Sequence, residues 1–281
     1  RRCCGLIQKV DADCLIFDID GVLLDTHLSF PALIGRAVEE GWLRSGGKVD
    51  CPGYSDAFQW VFKRHGSFND DYDIAWCLLS TAISSGAKKL SEALPSSESL
   101  ERSIADCGED CVVWALKKFG TAVNRDDVRS LCAAIYYGDE KTPGLYLKER
   151  VMLPVHWSQL PLPVGIYTGR DSREWELAKK MLKWQDFPDD RIVHSGSGIR
   201  KPSPEGFEIL CSRMGCERPL FFGDTASDEK ARAAFGRGFF VAIGELLPES
   251  ELHFDDPVAA LESLIGFFAD TSCEKGEIRR G

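Results

Sequence analysis

The stretch Cys14-Leu15-Ile16-Phe17-Asp18-Ile19-Asp20-Gly21 decides the fold of this 281-residue chain. It begins with four apolar residues in a row, a pattern typical of a strand that is buried on both faces of a parallel sheet. The strand ends at two carboxylates, Asp18 and Asp20, followed by Gly21, which permits a sharp turn of the backbone. Carboxylates this close repel each other unless a cation neutralises them, and Mg²⁺ prefers hard oxygen ligands. The stretch therefore predicts a buried strand with a magnesium site at its carboxyl end.

Similar apolar runs return in the second half of the chain, where they alternate with helical patterns. Strands are predicted at 162–167, 191–194, 219–222 and 238–243, and helices at 172–184, 204–214 and 227–234. Strands that alternate with helices form a parallel sheet with helices packed on its faces. The sequence therefore predicts an α/β protein with a parallel sheet.

The stretch between the first strand and these later runs has only helical periodicity. Helices are predicted there at 30–43, 56–65, 71–84, 97–119 and 126–136, separated by glycine- and proline-containing breaks. An all-helical block inserted after a strand indicates a second domain. We therefore predict an α/β core domain formed by 1–25 and 151–270, a helical cap domain at 26–150, and a frayed tail at 271–281.

The composition excludes several classes of function. The formal net charge is −10, so the chain lacks the basic surface that a nucleic-acid-binding protein needs. No apolar run is long enough to cross a bilayer. The 11 cysteines are odd in number and contain no CxxC pair, which favours free, buried thiols in a reducing cytoplasm over disulfides or a zinc site. We expect a cytoplasmic protein, a monomer or a homodimer, that binds neither nucleic acid nor membranes.

Polar residues follow two more of the predicted strands. Thr168 offers a hydroxyl after the strand at 162–167, and a turn at Gly169 presents backbone N–H groups to an anion. The neighbouring Arg170 either reaches the same ligand or lies in solvent. Lys201, held by the proline that follows it, supplies a fixed positive charge. Together these residues predict an anion-binding site.

A fourth motif, Gly223-Asp224-Thr225-Ala226-Ser227-Asp228, follows the apolar strand at 219–222. Asp224 comes directly after the strand and a glycine, which favours a role as a metal ligand. Asp228 begins the next helix, where it either supports the metal site or stabilises the helix N-terminus. In open α/β sheets, ligands bind beyond the carboxyl ends of the strands, so the four motifs are expected to meet.

In combination, these motifs resemble the haloacid-dehalogenase-like superfamily of hydrolases. The resemblance rests on the Asp18-to-Asp25 string, on Thr168, on Lys201 and on the Gly223-to-Asp228 string. Their order and separations resemble the branch of the superfamily in which a helical cap follows the first strand. The resemblance implies a Rossmann-like parallel sheet with an inserted all-helical cap domain, covering residues 14–243.

The resemblance also implies a mechanism of phosphate ester hydrolysis. Asp18 is expected to attack phosphorus and to form an aspartyl-phosphate, while Asp20 acts as acid and base. Thr168 and Lys201 are expected to hold the phosphoryl oxygens. The implied Mg²⁺ ligands are Asp18, Asp20 (through its backbone carbonyl), Asp224 and Asp228.

The leaving group of the substrate is expected to be recognised by the helical cap. Asn69, Asp70 and Asp73 cluster at a predicted helix start, where one of them suffices as a helix cap. The remaining polar side chains are predicted to contact the substrate, together with Thr168, Gly169, Arg170 and Lys201. A small phosphate monoester of a sugar, polyol or amino alcohol is the expected substrate class.

Four alternatives share the fold and some or all of the four motifs. A phosphomutase of the same fold has all four of them, and a binding protein that keeps the fold is a second alternative. An enzyme that cleaves phosphonates would use a cap lysine as an amine nucleophile. Lys63 is the nearest candidate, but we expect it to be an exposed helix residue. A dehalogenase does not protonate an alkoxide leaving group, so the presence of Asp20 favours phosphoryl transfer.

Overall fold

In a computed structural model of the chain, residues 10–108 and 110–268 are described. The strands are β1 (Cys14–Phe17), β2 (Leu24–Asp25), β3 (Arg150–Val151), β4 (Val164–Tyr167), β5 (Ile192–Val193), β6 (Pro219–Gly223), β7 (Phe239–Ile243) and β8 (His253–Phe254). The helices are α1 (Phe30–Arg44), α2 (Asp56–His65), α3 (Asp71–Ser84), α4 (Leu90–Ala93), α5 (Ser97–Ile104), α6 (Cys111–Phe119), α7 (Arg125–Tyr137), α8 (Ser172–Leu182), α9 (Glu205–Met214), α10 (Ala226–Phe235) and α11 (Pro257–Ile265). The tail predicted at 271–281 lies outside the described residues.

The main sheet is parallel and has β1 at its centre. Within the described residues its strand order is β5-β4-β1-β6-β7-β8, and each neighbouring pair runs parallel. The register places Phe17 opposite both Ile166 of β4 and Phe222 of β6. The residues that follow these three strands therefore emerge side by side, at the edge of the sheet where ligands bind.

The apolar residues of β1 are buried on both faces of the sheet, which confirms the predicted α/β class. Leu15 and Phe17 pack in a cluster with side chains of α8 and α11. Cys14 and Ile16 face the opposite way and pack with side chains of α9 and α10. Because successive strand residues point to opposite faces, one short apolar strand supplies both layers of the core.

The helices α1 to α7, here called the helical segment, enclose a hydrophobic cluster of their own. Its fully buried aromatic side chains include Phe62, Phe68, Trp76 and Tyr136. The segment begins just after β2 and ends just before β3, and these two short strands pair antiparallel. The chain thus leaves the sheet and returns to it at one place, next to the carboxyl end of β1. The domain limits themselves stay a prediction.

One predicted helix is wrong in its length. The sequence pattern predicts a single helix over 97–119, whereas the structure has α5 and α6, separated by a break that contains Gly108. The side chain of Asp110 accepts hydrogen bonds from the backbone N–H groups of Val112 and Val113, so it caps a new helix. An Asp before an apolar run is a helix-start signal, but the prediction of one long helix followed the apolar periodicity and did not take this signal into account.

The structure also describes the state of the cysteines and the hydropathy of the helices. The eight cysteines within the described residues are free thiols, and all of them are buried except Cys51, which is half-buried. Among the described residues, the helices are too short or too polar to cross a membrane. The cellular compartment stays a prediction.

We predict that Gly206→Ala destabilises the fold, because a Cβ at this position would lie 2.4 Å from the ring of Tyr167. That ring has little freedom to move, since its hydroxyl donates a 2.8 Å hydrogen bond to the backbone oxygen of Ser203. Overpacking of this kind costs about 1–3 kcal/mol, which urea unfolding would measure.

The matched control is Gly35→Ala in α1, where the nearest atom to the new Cβ is 3.6 Å away. Removing a glycine from a helix without a clash stabilises it by about 0.5–1 kcal/mol. Equal effects of the two substitutions on the unfolding free energy would contradict the packing argument.

Candidate active site

The central contact of the site is a buried ion pair between Asp18 and Lys201. Asp18 directly follows β1, and the Nζ atom of Lys201 lies 2.7 Å from its Oδ2 and 2.5 Å from Oδ1 of Asp228. Burial lowers the pKa of Lys201, but the charges of the two carboxylates outweigh it, so the pKa is raised and the ammonium form is held. Burial raises the pKa of Asp18 to about 7, against the opposing effect of Lys201. The ion pair therefore offsets only part of the cost of burying the Asp18 carboxylate.

A second carboxylate, Asp224, lies at the end of β6 in close contact with the turn after Asp20. A Cβ at Gly21 would lie 2.2 Å from Oδ2 of Asp224, and the φ angle of Gly21 is +70°. Both the backbone conformation and the close approach therefore require glycine. Burial and the charges of Asp228 and Asp18 raise the pKa of Asp224 well above its usual range.

The donor set at this point fits a divalent cation. Oxygen atoms of Asp18, Asp224 and Asp228 lie within 4.8 Å of one another. The Oδ1 atom of Asp224 is buried and has no hydrogen-bond partner among the described residues. A hard cation such as Mg²⁺ would use this oxygen and would neutralise the repulsion between Asp18 and Asp224.

Asp228 is committed to other partners. Its Oδ1 binds Lys201, and its Oδ2 accepts hydrogen bonds from the hydroxyl (2.7 Å) and backbone N–H (2.9 Å) of Thr225. Both oxygens are thus engaged, in contrast to Oδ1 of Asp224. Asp228 thus holds Lys201 and caps α10. Its carboxylate also lies within 4.8 Å of those of Asp18 and Asp224, so its role as a metal ligand stays a prediction.

Thr168 and Gly169 follow β4 and lie beside Asp18, as the motif predicts. Thr168 is buried, and its hydroxyl accepts a 3.2 Å hydrogen bond from the backbone N–H of Arg170. A Cβ at Gly169 would lie 2.8 Å from Nδ2 of Asn69, which comes from the loop before α3. The helical segment therefore contacts the turn at Gly169 through Asn69.

Arg170 does not lie in solvent, which was one of its two expected positions. It is only 1% exposed, and its guanidinium binds Asp20, Glu149 and Tyr136. The donors of Arg170 point to acceptors within the protein, although Arg170 lines the cavity described below, so its predicted contact with the substrate stays a prediction.

A cavity of about 80 Å³ lies between the sheet edge and the helical segment. The predicted site residues on its wall are Asp18, Asp20, Asn69, Asp70, Gly169, Arg170 and Asp224. Lys201 lies behind Asp18 and borders a neighbouring cleft of about 580 Å³, which also contacts Asn69, Asp70 and Gly169. The structure therefore brings together the motifs that are far apart in the sequence.

Comparison with known families and structures agrees with this geometry. The family model of haloacid dehalogenase-like hydrolases matches residues 12–236, which is most of the chain. The chain belongs to this family. It is thus a haloacid dehalogenase-like hydrolase, as the sequence motifs predict.

Two solved structures illustrate the likeness. Phosphatase Tt82 from Thermococcus thioreducens is 24% identical, with a TM-score of 0.56 over 83% of this chain and 93% of that chain. A hydrolase from Pseudomonas syringae is 16% identical, with a TM-score of 0.51 over 92% of this chain and 100% of that chain. At these identities the likeness concerns the fold alone. No curated protein sequence matches this hydrolase.

Lys63 of this hydrolase corrects the expectation of an exposed helix lysine. Its side chain is 12% exposed, lines the cavity, and lies 2.8 Å from Oδ1 of Asp71. Burial lowers the pKa of Lys63, but the charge and hydrogen bond of Asp71 outweigh it, so the pKa is raised. A lysine held as an ammonium ion is a poor amine nucleophile, which argues against the phosphonate-cleaving alternative.

Asp70 and Asp73, which belong to the predicted polar cluster at the start of α3, have different roles. Asp70 accepts hydrogen bonds from the N–H groups of Tyr72 and Asp73, so it caps α3, and its other oxygen binds Arg129. Asp73 is 2% exposed and pairs with both Arg125 and Arg129. These contacts join α3 to α7, and Asp73 does not line the 80 Å³ cavity with Asp18.

Sequence reasoning did not place Gln59, Lys63 or Glu149 at the site of the hydrolase. Gln59 and Lys63 are four residues apart in α2 and both line the cavity, so the presence of two polar residues on one helix face was an available signal. Glu149 gave no signal, because it lies in the charged run Lys148-Glu149-Arg150, which is typical of a surface. Its side chain is nevertheless buried against Arg170.

We predict that Mg²⁺ stabilises the hydrolase and that Asp224→Asn removes this effect. The substitution keeps the shape of the side chain but removes the charge that a cation would neutralise. For a ligand at 100 times its Kd, the unfolding free energy rises by about 2.7 kcal/mol, which a thermal melt with Mg²⁺ and with chelator would detect.

The control is Asp190→Asn, because Asp190 is exposed and precedes β5, at the opposite end of this strand from the site. It should keep the full Mg²⁺-induced rise in melting temperature. An equal rise in Asp224→Asn and in the unaltered protein would show that the cation binds elsewhere.

Proposed function

We propose that this hydrolase is a magnesium-dependent phosphatase that acts on a small phosphate monoester through an aspartyl-phosphate on Asp18. The observation that carries the proposal is the arrangement around this carboxylate. Asp18 lines the cavity, Lys201 binds its Oδ2 at 2.7 Å, and Asp224 adds a buried oxygen without a partner among the described residues. A carboxylate nucleophile beside a fixed ammonium is suited to phosphoryl transfer, because the carboxylate can attack phosphorus while the ammonium stabilises the negative charge on the phosphate oxygens.

The residues of this chain then have separate roles. Asp18 attacks phosphorus, and Asp20, two residues later on the same cavity wall, protonates the leaving alcohol. Asp20 next takes a proton from the water that hydrolyses the aspartyl-phosphate. Lys201 and the hydroxyl of Thr168 bind the phosphoryl oxygens. When bound by Asp18, Asp224 and the backbone carbonyl of Asp20, Mg²⁺ supplies charge neutralisation.

The walls of the cavity favour a small, polar leaving group. The cavity volume of about 80 Å³ is small, and Asn69, Lys63 and Asp71 line its helical side. Tyr72 also lines it, and the Tyr72 hydroxyl is buried without a hydrogen-bond partner among the described residues. These groups are complementary to the hydroxyl or amine groups of a sugar, polyol or amino-alcohol phosphate.

The test is the release of inorganic phosphate from p-nitrophenyl phosphate and from a panel of sugar, polyol and amino-alcohol phosphates. We expect release that requires Mg²⁺ and that falls by at least about 10³-fold in Asp18→Asn, because loss of a covalent nucleophile removes the reaction path. Mass spectrometry of acid-quenched enzyme should detect one phosphoryl group on Asp18.

Asp190→Asn serves again as the control and should keep full activity. If the folded protein releases no phosphate from any ester, or if Asp18→Asn retains full activity, the proposed function is wrong. Isomerisation of a sugar phosphate without net phosphate release would instead favour the phosphomutase alternative.

A further inference from the structure

The guanidinium of Arg170 is fully committed to acceptors within the protein. An arginine side chain has five N–H groups. In Arg170, Nε and Nη2 donate to Oδ1 of Asp20 at 2.9 and 2.7 Å, and Nη2 also donates to Glu149 at 2.8 Å. Nη1 donates to the hydroxyl of Tyr136 at 3.2 Å and to the backbone oxygen of Glu174 at 3.5 Å. These five bonds leave no N–H group for a phosphate.

The contact with Asp20 is directional. Arg170 holds a single oxygen, Oδ1, from two nitrogen atoms, which fixes the plane of the carboxyl group. The other oxygen, Oδ2, forms no hydrogen bond within the described residues, and the Asp20 side chain is 27% exposed on the cavity wall. The geometry therefore anchors one oxygen of Asp20 and leaves the other to the leaving group.

Arg170 is itself held by residues at the junction of the helical segment and the sheet. Glu149 precedes β3, and its Oε1 accepts hydrogen bonds from the hydroxyls of Tyr136 (2.9 Å) and Ser29 (3.1 Å). Ser29 precedes α1, and Tyr136 lies in α7 with its ring stacked on Phe30. The two connections between the sheet and the helical segment, at Ser29 and at Glu149, are thus joined with α7 in one hydrogen-bond network around the guanidinium of Arg170.

From this geometry we infer that Arg170 is a positioning residue for the acid and base Asp20, and that Tyr136 and Glu149 fix Arg170 in turn. The inference rests on the proposed phosphatase function. It assigns Arg170 no contact with phosphate and makes the proton transfer by Asp20 depend on the packing of the helical segment against the sheet. A lysine at this position keeps the charge but cannot hold one oxygen from two nitrogen atoms.

The experiment measures kcat/KM for p-nitrophenyl phosphate and for benzyl phosphate in Arg170→Lys. This ratio reports the first transfer to Asp18, in which p-nitrophenolate leaves without protonation whereas benzyl alcohol requires a proton. General acid catalysis contributes about 10²–10⁴-fold, so we expect kcat/KM for benzyl phosphate to fall by about 10²-fold. The value for p-nitrophenyl phosphate should change by less than about 3-fold on the same reasoning.

Arg173→Lys is the matched control, because Arg173 is exposed on α8 and its guanidinium lies 3.5 Å from the ring centre of Tyr137. It should leave both ratios unchanged. An equal fall for the two esters in Arg170→Lys would overturn the inference, since loss of a phosphate contact or of the fold affects both leaving groups alike.

A second variant, Tyr136→Phe, decides the matter if Arg170→Lys does not fold. It removes only the hydroxyl that holds Arg170 and Glu149 and keeps the ring. We expect a fall of about 3–10-fold that is confined to benzyl phosphate, because the acid is displaced but not removed. No selective fall would overturn the inference. An unaltered protein that hydrolyses neither ester would refute the phosphatase function itself, whereas an active protein without this selectivity refutes the inference alone.

Discussion

Four carboxylates, those of Asp18, Asp20, Asp224 and Asp228, lie beyond the carboxyl ends of β1 and β6. The cationic side chains that pair with them are fewer in number. Lys201 pairs with both Asp18 and Asp228, and Arg170 pairs with Asp20. Asp224 remains, with a buried oxygen that no described residue satisfies. Because an unpaired buried charge is costly, this site requires a further cation or a proton.

The sheet topology explains why the charges meet there. Since β4 and β6 both pair with β1, the residues after all three strands emerge at the same edge. The approach of Asp224 to the turn after Asp20 is possible only because Gly21 has no side chain. After β1 the chain adds β4 and β5 on one side of this strand and then β6, β7 and β8 on the other, so the strand order reverses at β1. Ligands of open α/β sheets bind at such a topological switch point. The strand order that forms the sheet thus also brings the four carboxylates together.

The sequence predicted the parts of the site that depend on this topology. Asp18, Thr168, Lys201 and Asp224 each follow a strand or a strand-to-helix loop, and parallel strands bring such residues together regardless of their separation in the chain. The helix limits at α2 and α3 agree with the periodicity, because apolar spacing and caps indicate the same bounds.

Contacts between the helical segment and the sheet could not be predicted in the same way. Arg170 has an acidic neighbour and a helix start beside it in the sequence, which is equally typical of a solvated arginine and of a buried one. Its burial depends on Glu149 and Tyr136, which lie 21 and 34 residues away and gave no local signal. Lys63 likewise is determined by Asp71 on the next helix. Such pairs follow from tertiary packing, and periodicity within one element carries no information about them.

The two sides of the cavity differ in their electrostatics, and this difference constrains the substrate. On the helical side, Lys63 pairs with Asp71, and Arg129 pairs with Asp70 and Asp73, so these cations are already neutralised. On the sheet side, the carboxylates exceed their cations, so a bound divalent cation there would attract the dianionic phosphate. A substrate with a second strongly anionic group would meet no unpaired cation among these residues of the helical side. We therefore infer that the leaving group is recognised through hydrogen bonds to polar, charge-balanced pairs, which agrees with an uncharged or amine-bearing alcohol.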